Sequence, residues 1–237
     1  MFRLDELSVF LPAYNEEENL EKTASNVLKI LPKVALKWEL LIINDGSKDK
    51  TGAIARNLAQ KNKGVRVITH SPNRGYGAAL KSGFYGAKYD WIAFTDADGQ
   101  FDFSEISDFI ERQVKTGADL VIGYYLKRQV PMVRIIGSKF WQLAVFLLFG
   151  LKVKDIDCGF KLIKAEVFKK IPKLEAERGP FITSELLIKA KKNGFKIVEL
   201  GVHHFSRQGG KATGANIRVI ASGLSDLVRL RNKLRNV

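Results

Sequence analysis

The sequence has one cysteine, Cys158, in 237 residues, so an internal disulfide framework is excluded and the chain fits a reducing compartment. Proline is scarce, with 6 in all, and neither a low-complexity tract nor an internal repeat marks a linker. Long hydrophobic runs are missing as well. The most apolar stretch, 135–151, is 17 residues long and carries Lys139 and Gln142, short of the roughly 20 apolar residues a spanning helix needs. The opening MFRLDELSVFLPAYNEEENL sets acids within a short apolar run, which is not the pattern of a signal peptide. What is present is a globular composition, 46% hydrophobic and 27% charged, long enough to bury one substantial core. We expect one domain over 1–237, with two functional halves at 1–123 and 124–237.

Those halves differ in charge. Residues 1–123 hold 16 Lys+Arg against 17 Asp+Glu, while 124–237 hold 23 against 8. The whole net charge of +14 therefore comes from the second half, which points to an anionic partner there: phosphate groups or an anionic membrane surface. Nucleic acid is excluded as a partner, because no recognition helix and no strand surface of interleaved aromatic and basic residues accompanies the charge.

In the first half, short apolar runs at 8–11, 40–44, 65–69, 91–95 and 120–123 alternate with helical patterns at 19–31, 51–61, 78–87 and 104–116. This alternation predicts an α/β fold with a mostly parallel, Rossmann-like sheet flanked by helices. The second half predicts amphipathic helices. Val133, Ile136, Phe140, Leu143 and Leu147 recur at helical spacing within 133–148, with Phe140 and Trp141 read as core. Helix 182–193, strand 196–200, a glycine-rich basic loop at 207–214 and a basic helix over 217–235 complete the pattern.

Ligands of such sheets bind beyond the carboxyl ends of the strands, and four predicted strands end in polar, turn-forming sequence. Asp96 and Asp98 follow WIAFT; two carboxylates at a strand end suit a hard cation such as Mg²⁺ or Mn²⁺, and Gln100 offers a further oxygen. Asp45, in Asn-Asp-Gly-Ser, is suited either to accept hydrogen bonds from a nucleobase or to close a turn. Glu16 lies in a run of three acids that fits either a base or ribose contact or the start of a helix.

PAYNE at 12–16, NDGS at 44–47, NRGYGAALKSG at 73–83 and DADGQ at 96–100 resemble the inverting family 2 glycosyltransferases in content and order. DIDCGFKL at 155–162, the Arg134/Ser138 pair and the Arg207 loop are most similar to the dolichyl- or polyprenyl-phosphate sugar synthases. The resemblance implies a GT-A fold and a metal-dependent transfer of sugar from a nucleotide-sugar, GDP-mannose or a UDP-sugar, to a lipid phosphate. Pro12, Tyr14, Glu16, Asp45, Arg74, Asp96 and Ala97 would then hold the donor nucleotide. Asp96, Asp98 and Gln100 would hold Mg²⁺ or Mn²⁺, and Arg134, Ser138, Arg207 and Lys211 the acceptor phosphate. Tyr125 departs from the pattern, since mannose synthases tend to carry a phosphate-binding Arg there; Lys127 or Arg128 is the substitute.

A lipid phosphate dianion is already a nucleophile, because its second ionisation lies near pH ~6. A saccharide hydroxyl is the alternative acceptor and would need a general base. Asp98, Asp157 and Glu185 are the catalytic candidates, with Glu185 or Asp157 serving as that base or orienting the acceptor. The apolar and basic helices predict a peripheral contact with an anionic bilayer, and hence a cytoplasmic protein held at the cytoplasmic membrane face.

Overall fold

A computed structural model describes residues 2–127, 132–177, 179, 181–207, 209 and 226–234, with backbone alone at 132–134. Lys211, Arg128, the Arg134 side chain, most of the 207–214 loop and the 217–225 part of the last helix lie outside them.

Seven strands make one sheet in the order β3-β2-β1-β4-β6-β5-β7. The strands are β1 (Leu4–Ala13), β2 (Ala35–Asn44), β3 (Val65–Thr69), β4 (Trp91–Phe94), β5 (Leu120–Tyr125), β6 (Lys161–Lys164) and β7 (Ile197–Val202). The helices are α1 (Leu20–Val34), α2 (Thr51–Lys61), α3 (Tyr76–Gly86), α4 (Ile106–Thr116), α5 (Met132–Phe149), α6 (Glu166–Lys170) and α7 (Phe181–Lys192). Strands β1, β2 and β4 are nearly continuous apolar runs because both sheet faces are covered. All pairings are parallel except those of β6, which is antiparallel to both β4 and β5.

Strand β6 was not anticipated from the sequence; at four residues its pattern is too short to show a period. Its direction matters. Phe94 at the end of β4 pairs with Lys161 at the start of β6, so the 155–160 segment arrives at the same sheet edge where β1, β2 and β4 end. Parallel pairing of β5 with β7 brings 203–207 to that edge as well. Residues from both halves of the chain thus meet at the point where the order turns from β1 to β4, the topological switch at which α/β sheets bind ligands.

Beneath this edge the packing is aromatic. Phe10 of β1 stacks on Phe94 of β4 at 5.2 Å between centroids and meets Phe84 of α3 edge-on at 5.1 Å. Gly83 lets α3 approach, since a Cβ there would lie 2.3 Å from the Phe10 ring. Phe10 and Phe94 are fully buried and have little room to yield.

Helix α5 differs from expectation. Trp141 does face inward, its indole N–H donating to Ser184 Oγ at 2.8 Å, but Ile136, Phe140, Leu143 and Leu147 are exposed, Phe140 by 69% and Leu147 by 70%. Phe140, read as core, is therefore on the outward face together with the rest of the apolar repeat, while Val145 packs within. Among the described residues no helix is long and apolar enough to cross a membrane.

Gly83→Ala should destabilise the protein by about 1–3 kcal/mol through overpacking against Phe10, read as a fall in thermal midpoint. An unchanged midpoint would mean that α3 has freedom to move away from β1.

Candidate active site

The floor of the site is the turn after β4. Asp96 and Asp98 are half-buried on either side of the buried Ala97, and the Thr23 hydroxyl holds the Ala97 carbonyl at 3.2 Å. Burial, then the neighbouring Asp98, raises the Asp96 carboxyl to about 7; burial also raises Asp98 and Glu16. The Tyr76 hydroxyl donates to Asp96 Oδ1 at 3.0 Å. Burial, reinforced by the Asp96 charge, pushes that phenol well above its ordinary value, so it remains a donor. Close approach of 157–160 depends on Gly159, where a Cβ would lie 2.3 Å from Asp96 Oδ2.

One cation answers these acids. Arg207, after β7, reaches Glu16 Oε1 at 2.5 Å and Asp98 Oδ2 at 3.4 Å, and its Nε donates to the Gly209 carbonyl at 2.7 Å. Asn19 donates to both Glu16 Oε2 (2.9 Å) and the Gly209 carbonyl (3.2 Å), closing the bridge. Sequence reading put Glu16 with the nucleotide and Arg207 with the acceptor; the fold brings the two together over Asp98.

The loops beside the floor are laced to each other. Asn15, in left-handed conformation at φ 55°, accepts from Lys48 N at 2.9 Å, and Asn15 N donates to Ser47 Oγ at 3.0 Å. Glu16 N donates to Thr51 Oγ1 at 2.8 Å. These bonds fix Pro12, the last-but-one residue of β1, and half-buried Tyr14 against the β2 loop.

Several expected site residues are engaged by protein partners. The buried Asp45 carboxylate receives His70 Nδ1 (2.6 Å) and Arg74 N (3.0 Å) on Oδ1, and Asn73 Nδ2 (2.8 Å) and Gly75 N (2.8 Å) on Oδ2. A carboxylate offers about four acceptor positions, and here Asp45 uses them to brace the 70–75 loop. Arg74 presents its side chain to Glu177 at 3.1 Å at the surface. The Gln100 amide donates to the Phe205 carbonyl at 2.8 Å, tethering the β7 extension to the acid turn. Glu185 is 1% exposed. Its oxygens accept from Glu175 N, Ala176 N and Lys189 Nζ, so the base expected at this position has no face toward the site.

Asp157 is half-buried in the turn ahead of Gly159. The Ser138 hydroxyl donates back to the Ile135 carbonyl at 3.1 Å on α5. Tyr125, where a phosphate-binding Arg was sought, packs against His204 at 4.6 Å and Phe101 at 5.9 Å. Three participants were given no role from the sequence: His70, which also meets Ser82 Oγ at 2.8 Å, Asn73 and Tyr76. The signal for Asn73 and Tyr76 was the NRGYGAALKSG motif that contains them, and for His70 its position just past a strand end.

Among the described residues no three Asp, Glu, His or Cys side chains form a metal-ligand cluster. A two-carboxylate site nevertheless fits Mg²⁺ or Mn²⁺, which take one or two carboxylates together with substrate phosphates. The raised Asp96 and the guanidinium seated on Asp98 and Glu16 show that positive charge is favoured at these acids.

Asp96 gives a pH test. An unfolded aspartate loses its proton near pH ~4, whereas folded Asp96 keeps it to about 7. Between those values the folded state holds more protons, so stability declines as pH rises and levels off above 7. Metal-free wild type should lose more thermal stability between pH 5 and 7.5 than Asp96→Asn; equal losses would mean that Asp96 titrates normally.

Comparison with known proteins agrees with this geometry. Residues 8–172 match Glycosyl transferase family 2. The polyprenol monophosphomannose synthase of Mycolicibacterium smegmatis is 34% identical over 222 residues, covering 89% of this chain and 82% of that protein. The dolichyl-phosphate beta-glucosyltransferase of Dictyostelium discoideum is 30% identical, covering 95% and 73%. Glucosyl-3-phosphoglycerate synthase from Mycobacterium tuberculosis, solved with Mn²⁺, uridine diphosphate and phosphoglyceric acid, superposes with a TM-score of 0.69 at 21% identity, covering 94% of this chain and 78% of that one; this likeness is one of fold, GT-A. By the extent of these matches the chain belongs to glycosyl transferase family 2 and is a glycosyltransferase, with dolichyl- and polyprenyl-phosphate sugar synthases among its relatives.

Proposed function

We propose that the chain transfers a sugar from a nucleoside-diphosphate sugar to a polyprenyl or dolichyl phosphate, with inversion, using Mg²⁺ or Mn²⁺ at Asp96 and Asp98. The observation that carries this reading is Arg207 from the basic half lying across Glu16 and Asp98 of the acidic half. The names of the relatives, lipid-phosphate transferases that act with mannose or glucose, support the acceptor.

The lipid phosphate dianion attacks the anomeric carbon, the bond from that carbon to the diphosphate oxygen breaks, and the nucleoside diphosphate leaves. Asp96, oriented by Tyr76, and Asp98 would hold the cation, which when bound would supply Lewis-acid stabilisation of the departing diphosphate. Pro12, Tyr14 and Glu16 line the nucleotide side. Arg207 exchanges its carboxylate partners for phosphate oxygens, where its planar fork aligns the nucleophile. Arg134, Ser138 and Lys211 add to that phosphate site, and Asp157 orients the acceptor. No proton has to be removed from the nucleophile, which agrees with Glu185 being sealed. The outward apolar stripe on α5, with exposed Lys139 beside it, suits a helix lying on an anionic bilayer, the surface from which a polyprenyl phosphate is taken.

Incubation with GDP- and UDP-sugars and Mn²⁺ should release nucleoside diphosphate only slowly until a polyprenyl phosphate is added. Asp98→Ala should abolish the stimulated rate. Stimulation by a saccharide but not by any lipid phosphate would overturn the acceptor. Anionic vesicles should co-sediment with wild type and much less with Phe140→Ser/Leu147→Ser; equal pelleting would dismiss α5 as the contact.

A further inference from the structure

Glu185 is too well enclosed to take a proton from an acceptor, yet an ionised side chain is not buried without partners. Its partners form a connected structure. The carboxylate accepts from Glu175 N (2.9 Å to Oε1, 3.0 Å to Oε2) and from Ala176 N (2.9 Å). Lys189, one turn along α7 and equally buried, donates to Glu185 Oε1 and to the Lys173 carbonyl, both at 2.6 Å. The pair thus grips the backbone of 173–176 at three places. The same segment is fastened to α3, since Leu174 N donates to the Tyr85 hydroxyl at 3.0 Å.

The segment ends on the start of α3. That helix opens after Gly75, which has no side chain to cap it, so its first N–H groups need outside acceptors. The Glu177 carbonyl takes Ala78 N at 2.9 Å. The approach is close enough that a Cβ on Gly77 would lie 2.8 Å from the Glu177 carbonyl carbon. Tyr76, the first residue of that helix, sets its hydroxyl on Asp96. A continuous path runs from Glu185 through the 173–177 backbone and the α3 N-terminus to Tyr76 and Asp96.

We infer that Glu185, with Lys189, is a positioning residue for donor binding: it holds the 173–177 segment as the cap of α3 and so keeps Tyr76 on Asp96. This role rests on the proposed function of the acid pair. It also accounts for an acid at the position where a base was sought, since a carboxylate accepting two backbone N–H groups and a lysine serves packing rather than proton transfer.

Binding of GDP and UDP with Mn²⁺ by calorimetry tests it, on wild type, Glu185→Gln, Gly77→Ala, Tyr76→Phe and the Glu185→Gln/Tyr76→Phe double variant. Supporting groups behind metal ligands typically contribute 10–100-fold to affinity, so Glu185→Gln should weaken diphosphate binding roughly ten-fold and raise the donor KM, with the pH profile of kcat unchanged. Gly77→Ala, which lifts the segment without touching Glu185, should do the same despite alanine's better helix propensity. In the Tyr76→Phe background Glu185→Gln should add little, because both act on the same contact. Normal diphosphate binding by Gly77→Ala, or full additivity in the double variant, would overturn the path. A kcat loss of 10²-fold or more with normal binding in Glu185→Gln would restore Glu185 as the base. Wild type that binds neither diphosphate would overturn the function of the acid pair itself, and this role with it.

Discussion

Two carboxylates set side by side and withdrawn from water are the constraint that most of the structure around Asp96 and Asp98 answers. Burial first, and the neighbouring Asp98 second, lead Asp96 to keep its proton to about 7. Tyr76 responds by donating a hydrogen bond, and Arg207 by laying its guanidinium on Asp98 and Glu16. Glu16, drawn into the same electrostatic neighbourhood, is itself raised by burial. Under the proposed function these are the oxygens that would hold a divalent cation brought in with a diphosphate.

The sheet makes the placement possible. Parallel strands β1, β2 and β4 end on one edge, and antiparallel β6 returns the chain so that Gly159 approaches Asp96 from the opposite side. β7 then delivers Arg207 from the basic half to acids of the first half. Under the proposed function the charge division along the chain would match the two phosphate-bearing partners of a sugar transfer, the departing diphosphate at the acids and the incoming phosphate at the bases.

Much of this was legible in the sequence. Continuous apolar runs gave the buried parallel strands close to their observed positions, and β3 and α2 agree with the structure at both ends. The acid pair was found because a strand end in an α/β sheet is where ligands bind. The partners of Asp45 and Glu185 were illegible for one reason: local sequence shows an acid near the ligand edge but not which groups will fill it, the His70 ring and the 73–75 loop for Asp45 and the amides of 175–176 for Glu185. Tyr76 and His70 were given no role because their partners are distant in sequence. Phe140 on α5 was misassigned since periodicity reveals an apolar face but not whether protein covers it.

The most direct measurement is anomalous scattering from Mn²⁺ in crystals grown with a nucleoside diphosphate. The account predicts a peak bounded by Asp96 and Asp98, with Arg207 withdrawn from Asp98. A bound nucleotide with no peak there, and Arg207 still seated on Asp98, would contradict it.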